Sequence, residues 1–188
     1  MLRVPSFLRS VTAALLLTVT LAAASAATDR KFSTSPTLAK EASLFVKLLE
    51  QAHYNHDAVR SSDYAQVVPD YMTELDGQHL FFLGTDKAAF SEKYGRNVYY
   101  NVAFLGNINA AYEIFDVYQT RVVSRINWLF EELKQDIDFA ADDTYRVDRT
   151  KSEWPSSAAA ADELWHKRLK FELVGEMLNK KTVDEAKQ

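Results

Sequence analysis

The sequence predicts an all-α domain, and three observations point there. Apolar residues recur at three- and four-residue spacing over long runs, no segment keeps the strict alternation of a half-buried strand, and Gly (5) and Pro (4) are scarce. About five helices are expected, in one bundle-like domain whose short connections favour antiparallel neighbours.

Ser35-Pro36 opens the first helix. Ser is a good N-cap, and Pro at the first helical position loses an N–H that has no intrahelical partner. Leu38, Ala42, Phe45, Leu49 and Ala52 then give an amphipathic stripe to about His53. Ser62-Asp63 starts a second helix carrying Tyr64, Val67, Val68, Tyr71, Met72 and Leu75, and Pro69 inside it predicts a kink or a later start. Asp76-Gly77 ends that helix, and Leu80-Phe81-Phe82-Leu83 is an apolar run too short to be a helix. Thr85-Asp86 caps a third helix through Ala89, Phe90 and Tyr94 to Gly95.

The longest element is expected from about Asn107 to Gln135, with Ile108, Ala111, Tyr112, Phe115, Val122, Ile126, Leu129 and Leu133 as its buried stripe. Residues 138–154 are acid-rich and irregular, and Pro155 closes them. Ser157 caps a last long helix with Leu164, Trp165, Leu169, Leu173, Val174, Met177 and Leu178 on one side and a Glu163/Lys167 pair one turn apart. Trp128 and Trp165 read as core residues, and Trp154 as a plug that holds a loop against the core. Thr182-Val183-Asp184-Glu185 has the form of a capping box and predicts the start of a further, truncated helix over residues 182–188.

The N-terminus carries its own signal. Arg3 and Arg9 precede twelve uncharged residues, Val11 to Ala22, and Ala24-Ser25-Ala26 is a small-x-small cleavage site. Residues 1–26 therefore read as a secretory signal peptide. The apolar run falls short of the roughly 20 residues that span a bilayer, so no stable membrane anchor is expected after cleavage. Without Arg3 and Arg9, 20 basic residues face 26 acidic ones, a net charge of −6. That balance offers no basic patch for nucleic acid. With no Cys there is no disulfide framework, so the exported domain depends on a packed core. A mature chain of this length can bury about 70% of its unfolded surface.

Several motifs invite a chemical reading. His53-x-x-His56 with Asp57 could supply part of a zinc site, and His79 and His166 are further imidazoles, but no spacing ties the four together. A helix-end cap at His53 and an exposed His56 is the plainer reading. Asp136, Asp138, Asp142 and Asp143 alternate with apolar residues, yet the stretch lacks the Gly and the terminal Glu of a calcium loop and reads as a solvated segment. There is no G-x-S-x-G, no S-x-x-K and no glycine-rich phosphate loop. No residue is assigned to catalysis, to a cofactor or to a metal.

Taken in order, a further set of segments forms a pattern. His53-Tyr54 stands at the end of the first helix. Tyr71, Leu75-Asp76, Phe81-Phe82 and Asp86 follow it. The long helix carries Ala111-Tyr112-Glu113-Ile114-Phe115, Tyr118-Gln119 and Arg121-Val122. After it come Phe139, Asp142 to Tyr145, Asp148-Arg149, Trp154-Pro155, Leu164-Trp165, Arg168 and Lys170. Their order and spacing resemble the N-terminal helical domain of the tail-specific proteases, also called carboxy-terminal processing proteases, which are serine peptidases with a Ser/Lys dyad. The likeness runs from about Leu38 to Leu178. Pro69 and Gly77 depart from it, Gly77 standing where a proline is usual.

The resemblance implies a periplasmic protein whose family continues into a peptide-binding PDZ domain and then the protease domain that holds the Ser/Lys dyad. It implies a helical domain over residues 27–181 that is not an enzyme by itself. Its partners would be the PDZ and protease domains, in cis or in trans, and an adaptor or substrate protein. A self-sufficient periplasmic binding or chaperone-like protein on the same helical fold is the alternative. Surface meant for missing domains would appear as an exposed apolar patch near Leu173 to Leu178.

Overall fold

The computed structural model describes residues 32–54, 56 and 61–188; the expected signal peptide (1–26) and Asp57 lie outside them. Residues 33–188 form one unit, all-α as expected. Among the described residues there are seven α-helices: α1 (Pro36–Ala52), α2 (Val67–Leu75), α3 (Gly84–Tyr94), α4 (Val98–Ala103), α5 (Asn109–Glu132), α6 (Ala158–Leu178) and α7 (Val183–Ala186). The 3-10 segment Ser61–Gln66 runs directly into α2.

Local signals set most helix ends. Ser35 Oγ accepts from Leu38 N at 3.2 Å and Ser157 Oγ from Ala160 N at 3.2 Å, so both expected N-caps form. The capping box at Thr182 forms in both directions, with Thr182 N donating to Glu185 at 2.8 Å and Glu185 N to Thr182 Oγ1 at 3.3 Å. Pro69 occupies the third position of α2, where an N–H has no intrahelical acceptor, so the later start accommodates it. The cap of α3 differs from expectation. Leu83 is its N-cap, and Asp86 at the third helical position accepts from Leu83 N at 2.9 Å, while Thr85 lies inside the first turn.

α4 has no counterpart in the sequence reading. It packs along α1 and ties that helix to the rest. Ser43 Oγ donates to Ala103 O at 2.7 Å, the Tyr99 hydroxyl donates to Glu50, and Tyr99 stacks on Tyr64 with centroids 4.6 Å apart. Thr34, ahead of α1, donates from N and Oγ1 to Asn109 Oδ1 at 2.8 Å each.

The buried faces are rotated from the apolar stripes. In α1, Val46 is covered while Phe45 is exposed; in α5, Ile114 is covered at 1% exposure while Ile126 faces solvent. In α6 the covered residues are Ala161, Trp165, Lys170 and Leu173, with Val174 and Leu178 outside. The reason is that polar groups occupy the seams. Arg121 pairs with Asp86, Arg125 with Asp162 at 2.7 Å, and His166 Nδ1 with Glu132 at 2.8 Å. The last two pairs advance together, so α5 and α6 run in the same sense where they meet. Residues 133–157 carry the chain back, a far longer link than the ones that make neighbours antiparallel. Trp128 is half-buried, with the Arg125 guanidinium 4.7 Å from its ring centre, and is not the core residue expected.

Candidate functional site

The centre of the domain is a carboxylate. Asp76, the C-cap of α2, is 3% exposed and accepts four hydrogen bonds: Leu80 N at 2.9 Å, Phe81 N at 2.8 Å, Phe82 N at 3.1 Å and Trp154 Nε1 at 2.9 Å. A run that is neither helix nor strand must send its backbone N–H groups somewhere. Asp86 takes the next, from Leu83, and Pro155 O takes Gly84 N at 2.9 Å. Leu80 O in turn accepts from Trp165 Nε1 at 2.8 Å. The Arg121 guanidinium closes the far side, reaching Asp86 through Nη2 at 2.9 Å and Nε at 3.2 Å.

This network places Phe82 at the bottom of the core, against Val68, Met72, Phe90, Ile114 and Trp154. Trp154 thus plugs the irregular segment onto the core, as its position beside Pro155 predicts. It also stacks against His79, whose Nδ1 bonds to Ser152 O.

Beside the core lies an apolar cavity of about 330 Å³. Val68 and Tyr71 of α2, Val98 and Val102 of α4, and Ala111 and Ile114 of α5 wall it, so two core residues form its floor. No Lys, Arg, His, Asp or Glu lines it. The Tyr71 hydroxyl bonds to Ala111 O at 3.4 Å, and burial, followed by the neighbouring Tyr112, raises its phenol above the ordinary value and keeps it neutral. Asn101, Asn107 and Asn109 are also among the lining residues. Sequence reasoning missed this cavity because one of its three walls is the unrecognised α4.

The structure gives the four imidazoles different settings, and Asp57 lies outside the described residues. His53 is the C-cap of α1, and His56, exposed at φ +52°, bonds through Nδ1 to Glu50 O at 3.2 Å. His79 and His166 sit at the Trp154 ring and on Glu132. Among the described residues no group of three His, Asp or Glu side chains comes together. The acids of residues 136–143 separate likewise: Asp138 accepts from Ala140 N at 2.8 Å, and Asp143 pairs with the buried Lys170 at 2.5 Å.

That last pair gives a pH-dependent tether. The hydrogen bond from Lys170 is the main cause holding the Asp143 carboxyl below its ordinary value. A depressed folded-state value means that the stabilisation is present above the unfolded carboxylate value and is lost as pH falls through the folded one. Acidification should therefore release the Asp143–Lys170 contact, while the Tyr145 ring stays on Phe171 of α6. In Lys170→Met the Asp143 midpoint, followed by NMR of the carboxyl carbon, should rise toward the ordinary carboxylate value; an unmoved midpoint would show that Lys170 is not the cause.

A model of the tail-specific protease N-terminal domain matches residues 45–188. The chain belongs to this family. A tail-specific protease from Haemophilus influenzae is 28% identical over 156 residues, covering 81% of this chain and 22% of the relative. The chain thus spans about a fifth of the length of the curated relative it matches. In this tail-specific protease domain six of the residues that carry the resemblance, Asp76, Phe82, Asp86, Arg121, Trp154 and Trp165, hold the centre together. No helix among the described residues is long and apolar enough to cross a membrane.

Proposed function

We propose that the chain is the exported, non-catalytic N-terminal helical module of a periplasmic tail-specific protease, which frames the protease and offers a docking face to it and to an adaptor or substrate protein. The carrying observation is the family match across residues 45–188 in a chain that spans 22% of its relative's length. The surface supports a docking role. Val123, Ile126 and Phe130 recur at i, i+3 and i+7 on α5 and are all exposed, as are Phe171, Val174 and Leu178 at the same spacing on α6. Leu173, expected in that second patch, faces the core at 3% exposure.

Such rows of large apolar side chains are what a partner domain covers. Recognition by helical faces requires no reacting group in this module. The purified chain should leave a peptide with an apolar C-terminus intact, and robust, inhibitor-sensitive hydrolysis would overturn the non-catalytic reading. Downstream DNA encoding PDZ and protease sequence supports the module reading; an unrelated gene there favours a stand-alone binding protein.

A further inference from the structure

We propose that the cavity between α2, α4 and α5 receives one apolar side chain of a bound polypeptide, with a backbone carbonyl of that polypeptide held by the amides of Asn107 and Asn109. The assignment rests on the docking role above for its occupant being a polypeptide, and on the cavity itself for everything else. At about 330 Å³ the space is at the small end of ligand sites, enough for a large apolar side chain and the carbonyl beside it. Its floor is the core: Val68 is 2% and Ile114 1% exposed, so the wall is fixed and does not collapse into the opening.

Charge selects the occupant. With no ionised side chain on the lining and the Tyr71 phenol held neutral, a charged group would lose water and find no counter-charge. An uncharged apolar group gains by burial at roughly 25 cal/mol per Å² removed from water.

The amides select further. Asn109 Oδ1 already accepts two hydrogen bonds from Thr34, and Asn107 Oδ1 accepts from Asn109 N at 2.9 Å. What these side chains retain for a ligand is chiefly N–H, which calls for an acceptor. A peptide carbonyl next to an apolar side chain supplies both parts, and a bare hydrocarbon supplies only one.

The test titrates the full chain with the capped peptides Ac-Ala-Phe-Ala-NH2 and Ac-Ala-Lys-Ala-NH2 and with toluene, reading backbone amide shifts by NMR. The Phe peptide should saturate shifts at Val98, Val102, Ala110 and Ala111, and the Lys peptide should not. Ala110→Phe, which fills the cavity from its lining, should weaken binding by about tenfold or more with the fold's spectrum otherwise retained. Val102→Phe, from the opposite wall, provides the same test if the first variant folds poorly. Binding of both peptides alike, or shifts that ignore both filled variants, overturns the site. Toluene binding as tightly as the Phe peptide overturns the polypeptide occupant and leaves an apolar small-molecule cavity. The exposed rows on α5 and α6 lie outside the cavity lining, so charged substitutions at Ile126 and Val174 that abolish association with the remainder of the protease test the docking role separately.

Discussion

Asp76→Ala is expected to destabilise the domain by about 3–5 kcal/mol, a large part of the 5–15 kcal/mol that holds a typical domain together. The carboxylate accepts from three consecutive backbone N–H groups and from the Trp154 indole, all within 3.1 Å. Removing it strands these donors around a site that is 3% exposed, where water has little access to replace it. Hydrogen bonds to a charged acceptor contribute about 1.5–3 kcal/mol each, but the four donors share one carboxylate and partly relax, so the sum is not additive.

Asp76→Asn keeps the shape yet turns an NH2 group toward N–H donors, so it should recover only part of the loss. Trp154→Phe removes a single donor and should cost less than Asp76→Ala. Urea unfolding read by far-UV circular dichroism checks the order; a loss below about 1 kcal/mol for Asp76→Ala would mean that the 80–83 run is held by its apolar side chains alone. The near-UV signal should collapse together with the far-UV one, because Trp154 and Phe82 belong to the same core.

What the sequence makes legible follows from how local the physics is. Ser35, Ser157 and Thr182 act within one turn of their helices, and all three caps form where their residue types predict. Pro69 likewise moves the start of α2 for a local steric reason. The faces are a different matter. Phe45, Ile126 and Val174 fit a helical stripe, but which stripe is covered depends on partners distant in the chain. The seams hold Ser43, Glu50, Arg121, Arg125 and Glu132, half-buried polar residues that periodicity assigns to solvent and that cross-helix partners hold at the contacts. α4 escaped because it is six residues long and Asn97 makes no side-chain cap, so neither length nor capping marks it. The cavity inherited that omission. Asp76 was legible as part of a family pattern, whereas its four-donor role needs Trp154, 78 residues away.

Gly106→Ala should cost about 3 kcal/mol or more and should loosen one helix selectively. Gly106 has φ +61°, a conformation that costs an ordinary residue about 1–2 kcal/mol. A Cβ there would stand 2.0 Å from Ala39 O and 2.7 Å from Ala39 Cα, so the backbone of α1 itself blocks it. No rotamer change relieves a clash with backbone; α1 must move away by about an ångström or more. The attachments of α1 lie on that same side: Thr34 to Asn109, Ser43 to Ala103 and Glu50 to Tyr99. They are lost together, whereas the Asp76 network lies elsewhere and persists. The expected signature is therefore local, with fast amide exchange across Pro36–Ala52 and near-native protection in α2, α3 and the core of α5. Gly175→Ala is the contrast: its added Cβ meets nothing within 4 Å inside α6, so helix propensity should make that variant more stable by about 0.5–1 kcal/mol. Uniform loss of protection in Gly106→Ala would show that α1 is integral to the global unfolding unit. Selective loss would identify α1 as an element docked through α4, the same short helix that walls the cavity.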